Sequence, residues 1–166
     1  LKEYGFNRIS LGIQDFRDEV LNAINRKPSK LKIEDIIGKI KDEGFTGTNI
    51  DLVYGLPLQT VESFNETVDR AIKLGTDRIV TFSYAHVPSV ITRQKVLDKI
   101  GFPSADEKAK MYQNAYDKFI AAGYIAIGMD HFAKPHDELA IALKNKNLHL
   151  EKYHHMFEYF YQRTLN

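Results

Sequence analysis

Gln14, Asp51, Ala85, His86, Asp130 and His131 stand inside or at the ends of stretches that are otherwise apolar. Gln14 closes Ser10-Leu11-Gly12-Ile13-Gln14, where its amide offers two donors and an acceptor to a ligand. A cap for a following helix is the ordinary alternative. Asp51 lies within Asn49-Ile50-Asp51-Leu52-Val53-Tyr54. A carboxylate in an apolar strand is costly unless paired or hydrogen-bonded. Strand alternation puts Asn49, Asp51 and Val53 on one face. Acceptors there suit a ribose diol, favoured over the alternative of a structural salt bridge to a neighbouring strand. Gly55-Leu56-Pro57 makes a sharp exit just beyond. Arg26 carries a fork that can hold a carboxylate in two bonds, or it is a solvated surface arginine. Ala85, in Tyr84-Ala85-His86-Val87-Pro88, lets a planar ligand approach the backbone. His86, Asp130 and His131 could handle protons or anchor acidic groups, or they stabilise their loops. His149, His154 and His155 have no matching third ligand, so no metal site is expected.

The elements that must position these residues follow one repeating unit. An amphipathic helix ends at a glycine and an apolar strand follows at once. The glycines are Gly5, Gly44, Gly75 and Gly123, at places where positive φ is common. The expected strands are Arg8–Gln14, Asn49–Tyr54, Arg78–Tyr84 and Tyr124–Met129, rich in Ile, Val and aromatic residues. Helical spacing recurs in Ile33, Ile36, Ile37, Ile40; in Phe64, Val68, Ala71, Ile72; and in Ala109, Tyr112, Tyr116, Phe119, Ile120. Ser104 with Glu107 forms a capping box, and Thr60 is an N-cap with Glu62 in the first turn.

Alternating strands and helices imply an α/β fold with parallel strands and right-handed crossovers. With no G-x-G-x-x-G or Walker A string after any strand, an arc of a (β/α) TIM-like barrel is favoured over a doubly wound nucleotide-binding sheet. In a barrel the site forms at the C-terminal strand ends, where the polar residues above fall. The arc is expected to have about four parallel strands with outer helices.

The chain has 166 residues, 23 basic and 22 acidic, which gives no strong basic excess and argues against a nucleic-acid partner. No apolar run is long enough for a membrane span. Cysteine is absent, so neither a disulfide nor a thiolate metal site can form from these residues. A cytoplasmic location fits this usage. The start, Leu1-Lys2-Glu3-Tyr4-Gly5, has the character of a helix tail, and an internal cut is expected there. Residues 1–149 are expected to belong to the barrel. Residues 150–166, crowded with Tyr153, Phe157, Tyr159, Phe160 and Tyr161, are expected to form a divergent helical tail.

Four strings, G-I-Q-D-F, T-N-I-D-L-V-Y-G-L-P-L-Q-T, Y-A-H-V-P and G-M-D-H-F-A-K-P-H-D-E-L-A, resemble those of the oxygen-independent coproporphyrinogen III oxidases, also called coproporphyrinogen dehydrogenases. The resemblance runs nearly continuously from Tyr4 to His149. It implies the C-terminal part of a radical S-adenosylmethionine barrel. It implies a [4Fe-4S] cluster that cleaves S-adenosylmethionine, and a 5′-deoxyadenosyl radical that takes hydrogen from a propionate of coproporphyrinogen III. Loss of CO₂ and an electron then leaves a vinyl; two such steps, on rings A and B, give protoporphyrinogen IX. Gln14, Arg26, Asp51 and Ala85 match family positions that contact S-adenosylmethionine. The resemblance assigns no role to His86, Asp130 or His131; a substrate-side place for them rests on their strand-end position.

The family's C-x-x-x-C-x-x-C cluster motif does not occur here, so this chain alone is expected to be inactive. An incomplete barrel leaves strand edges unpaired, and self-association or cover by the aromatic tail is expected. The nearest alternative is the heme-chaperone relative, which shares N-x-D-L-x-x-G-L-P-x-Q-T but typically lacks Y-A-H-x-P and G-M-D-H-F-A. An aldolase-type or phosphate-binding barrel would need a strand lysine or a late glycine-rich loop, and neither is evident. An interaction module would leave the polar strand ends without purpose.

Overall fold

The computed structural model describes residues 2–145. The expected tail at residues 150–166, and the end of the expected 1–149 domain, lie outside the described residues.

After a short 3-10 turn at Lys2–Tyr4, the order is β1 (Arg8–Gln14), α1 (Asp18–Ala23), α2 (Ile33–Asp42), β2 (Gly47–Tyr54), α3 (Val61–Leu74) and β3 (Arg78–Ser83). A 3-10 segment at Thr92–Lys99 precedes α4 (Ala105–Ala121), β4 (Ile125–Gly128), β5 (His131–Ala133) and α5 (Glu138–Lys144). The strands form one sheet in the order β1-β2-β3-β5-β4.

β1, β2 and β3 are parallel, as alternation with helices requires. The sheet then departs from a simple parallel arc. β5 pairs antiparallel with both β3 and β4, so β4 keeps the parallel direction but sits one place further out. The cause is local: β4 turns back through Met129-Asp130, and Met129 takes positive φ (52°). Phe132 and Ala133, buried, then occupy the place beside β3.

The core lies between one sheet face and helices α2, α3 and α4. Ile13, Ile50, Leu52, Ile79 and Phe132 from the strands meet Ile37, Ile40, Phe64, Val68, Met111, Ala115 and Phe119 from the helices. The periodic positions in α2 and α3 that the sequence singles out therefore point to this core. Both expected N-terminal signals are present. Thr60 accepts from the Ser63 N–H, and Ser104 from the Glu107 N–H, each in a reciprocal capping box. α3 ends at Gly75, whose φ of 63° suits a residue without a Cβ.

The opposite face corresponds to the barrel interior. It carries Ser10, Gly12 and Gln14 of β1, Asn49, Asp51 and Val53 of β2, Arg78, Val80 and Phe82 of β3, and His131 of β5, by strand alternation. At its N-terminal end the Asp137 carboxylate, which also caps α5, accepts from Arg8 (2.7 Å) and from Arg78 (2.8 Å). A Cβ on Gly47 would lie 2.6 Å from the Arg8 guanidinium carbon, so glycine there is what lets Arg8 cross β2. A second small core of Ile127, Ala133 and Ala140 seats α5 against the far strands.

Candidate functional site

One register row crosses the middle of the interior face. Gly12 pairs with Asp51, Asp51 with Val80, and Val80 with His131. Strand geometry alone thus brings Asp51 and His131 onto one row, two strands apart. Parallel pairing with β1 puts Asp51 opposite the glycine over which Gln14 and Arg26 converge. A Cβ on Gly12 would be 2.8 Å from Gln14 Nε2 and 3.4 Å from Arg26 Nη2.

Each of these side chains is aimed by an irregularity. Gln14 has φ of 70°, and the β1–β2 register slips between Gly12 and Gln14, which turns its amide back over Gly12. Arg26 is returned to β1 by a tight reversal at Asn25, φ 57°, after α1. Its guanidinium donates to the Gly12 carbonyl. Arg26 itself is exposed, and this bond uses only part of its fork of donors.

Asp51 is half-buried and is held from within its own strand. Asn49 Nδ2 donates to Asp51 Oδ1 at 2.8 Å and to Ser10 Oγ at 2.7 Å. Asn49 Oδ1 is left buried without a donor. A buried acceptor with no donor, beside a carboxylate, is what a vicinal diol would satisfy. Across the sheet the Asp51 carboxylate acts electrostatically on His131.

Ala85 lies in the loop after β3, exposed, with its carbonyl accepting from Gln94 Nε2 at 3.1 Å. Gln94 also accepts from the Val87 N–H at 2.6 Å, which shapes the loop. Lys108 of α4 reaches over Gly55 and donates to the Tyr84 carbonyl at 2.9 Å. Burial lowers its affinity for its proton.

The three further candidates separate. His131 stands on the interior row, edge-on to Phe82 with 6.5 Å between ring centroids. Burial holds its pKa below the usual histidine value; the Asp51 carboxylate opposes that shift and Arg78 adds to it. His131 is therefore neutral near pH 7. Asp130 sits in the β4–β5 turn, where its backbone carbonyl accepts from the Thr81 N–H at 2.9 Å. Burial raises its carboxyl pKa. His86 turns aside: Nε2 lies 2.5 Å from Asp98 Oδ1, and the ring packs 4.4 Å from Phe102.

Sequence reasoning passed over a buried pair behind the site. Asp15, 1% exposed, accepts from the Arg17 N–H at 2.8 Å, from Gln59 Nε2 at 2.7 Å and from Thr67 Oγ1 at 3.3 Å. Both residues stand inside the quoted strings, Asp15 next to Gln14 and Gln59 in G-L-P-L-Q-T. A carboxylate and an amide beside apolar strand ends were the available signal.

Residues 1–71 match the family model described as the radical SAM superfamily. Over 149 residues, 90% of the chain, it is 45% identical to an oxygen-independent coproporphyrinogen III oxidase of Salmonella typhimurium and 43% identical to that of Escherichia coli. It spans about a third (33%) of the length of each of these relatives. A solved structure of coproporphyrinogen III oxidase from Escherichia coli, described as a radical SAM enzyme, superposes with a TM-score of 0.82 at 42% identity. That superposition covers 87% of this chain and 33% of that one. Elp3 from Methanocaldococcus infernus, at 18% identity and a TM-score of 0.53, shares the fold alone. The chain belongs to the radical SAM superfamily, as a segment of the barrel found in its oxygen-independent coproporphyrinogen III oxidases.

Proposed function

We propose that this chain is the part of an oxygen-independent coproporphyrinogen III oxidase that holds the nucleoside end of S-adenosylmethionine and one side of the porphyrinogen cavity. The observation that carries the reading is the Asn49–Asp51 pair: a carboxylate and a donorless buried acceptor on one interior row. Such a pair accepts two hydroxyl protons from a ribose. Gln14 and Arg26, gathered over Gly12 opposite Asp51, supply donors for the polar remainder of the same ligand. Ala85, small and exposed past the end of β3, leaves room for a flat ring.

The family's cofactors are S-adenosylmethionine and a [4Fe-4S] cluster. With no cysteine among its 166 residues, the chain offers no thiolate to that cluster. When bound, the two together supply the one-electron chemistry that opens a propionate C–H bond. What these residues contribute is position and electrostatics. His131, neutral on the interior row, presents an uncharged imidazole to the cavity, and Asp130 stands at its rim. Both are placed to meet an acidic tetrapyrrole, whereas His86, tied to Asp98, shapes the Ala85 loop. Coproporphyrinogen III as substrate, protoporphyrinogen IX as product and a cytoplasmic location belong to the same proposal.

The test uses the full-length protein carrying this chain, reconstituted anaerobically with iron and sulfide. With reductant and S-adenosylmethionine it converts coproporphyrinogen III to protoporphyrinogen, and Asp51→Ala abolishes the conversion. Cofactor cleavage without porphyrinogen conversion would instead assign the chain to the heme-chaperone branch.

A further inference from the structure

We propose that Asp15 and Gln59 are positioning residues that lock the loops after β1 and β2 together and so set the spacing between Gln14 and Asp51. The inference rests on the preceding reading that those two face the cofactor.

The β-ladder cannot set that spacing by itself. It slips between Gly12 and Gln14, and the chain beyond takes left-handed conformations at Gln14 (φ 70°), Gly55 (φ 80°) and Leu58 (φ 67°). Side-chain-bearing residues hold such conformations only when their surroundings over-determine them. Here one side-chain pair does so. Asp15 takes the Arg17 N–H just past Gln14, and its other oxygen takes the Gln59 amide at 2.7 Å. Gln59 in turn accepts from the Leu56 N–H at 2.9 Å and donates to the Val53 carbonyl at 2.9 Å, two residues beyond Asp51. Thr67 of α3 adds a third donor to Asp15. The polar atoms of Gln59 that make these bonds are thereby committed to the two loops, and the pair lies behind the site, both residues buried.

Asp15→Asn cuts this link selectively. The remaining oxygen still accepts from Arg17 and Thr67, but an NH₂ group now faces the Gln59 NH₂. Flipping Gln59 would relieve that clash only by losing Leu56 and Val53.

The experiment measures S-adenosylmethionine binding by equilibrium dialysis, with thermal melting, on the full-length reconstituted protein. Asp15→Asn and Gln59→Met are compared with Asp51→Asn and with Tyr124→Phe, which loses a buried hydrogen bond far from both loops. The expected result is a Kd raised on the order of ten- to hundredfold in Asp15→Asn and Gln59→Met. Tyr124→Phe leaves Kd unchanged even where its melting point falls further. Unchanged Kd in Asp15→Asn beside a raised Kd in Asp51→Asn overturns the positioning role and leaves the cofactor site standing. Unchanged Kd in Asp51→Asn overturns both.

Discussion

Asp15 and Asp137 are both buried carboxylates, yet their surroundings drive them apart. For Asp15 burial outweighs its three hydrogen bonds and the carboxyl pKa rises. For Asp137 burial pushes the same way, but the Leu139 N–H and the Arg8 and Arg78 guanidiniums prevail and hold the pKa below the usual value. His131 belongs to a third case, a base whose protonation burial opposes. Its folded pKa lies below the 6.5 of an exposed histidine, so as pH falls from there the unfolded chain takes up the proton first. Stability should therefore decline across that interval, and His131→Gln should flatten the decline in urea midpoints measured between pH 7 and 5. Tyr124 shows the worth of one buried bond. Its hydroxyl donates to the Thr76 carbonyl at 2.8 Å, and burial pushes its pKa to about 12. Tyr124→Phe strands that carbonyl and should cost about 1–3 kcal/mol in chemical denaturation.

At the scale of elements, α3, α4 and α5 are anchored by side-chain caps at their starts, and β1 and β3 by ion pairs at their N-terminal ends. The Thr60–Ser63 box opens α3, the helix that supplies Phe64, Val68 and Ala71 to the core. Thr60→Ala should destabilise by about 1 kcal/mol in denaturant midpoint, with little change in the m-value. β1, β3 and α5 are tied through Asp137, and the tie depends on the missing side chain at Gly47. Gly47→Ala brings a methyl to 2.6 Å from the Arg8 guanidinium carbon and displaces it. The loss should be about 1 kcal/mol or more. Because the two substitutions damage one contact, Gly47→Ala should cost less in an Asp137→Asn background, which a double-mutant cycle reads directly.

For the whole molecule, the interior face is the decisive feature, because it is polar, half-buried and flanked by a strand edge. Among the described residues β1 pairs with β2 alone, and Arg26 covers one carbonyl of its other edge. The isolated chain should self-associate through this edge, and sedimentation over a concentration series will show it as a rising mass; a concentration-independent monomer would contradict it. Acid should act on the N-terminal end of the sheet as a unit. Asp77 and Asp137 both have pKa values held below 3.8: burial opposes the shift, and hydrogen bonds from Thr48 and His136, or from Leu139, Arg8 and Arg78, win. Their contribution is present above the unfolded carboxylate pKa and is lost as pH falls through the folded values, so unfolding should steepen below about pH 4.

Much of this was legible in the residues themselves. Helical spacing found α2, α3 and α4, and Ser104 and Thr60 marked two helix starts, because burial periodicity and end-capping are local consequences of side-chain type. Alternation along β2 placed Asp51 and Asn49 together on the interior face for the same reason. The resemblance of four strings supplied the family and the four cofactor-facing candidates. Tertiary structure alone decided the rest. β5 enters the sheet because a two-residue turn folds His131-Phe132-Ala133 back beside β3, and three residues are too few to show a period. His86 meets Asp98 because the Thr92–Lys99 segment brings that carboxylate beside it, twelve positions further along the chain. Asp15 finds Gln59 across 44 positions of sequence, a pairing fixed by how two loops stack at the sheet's end and by nothing local to either.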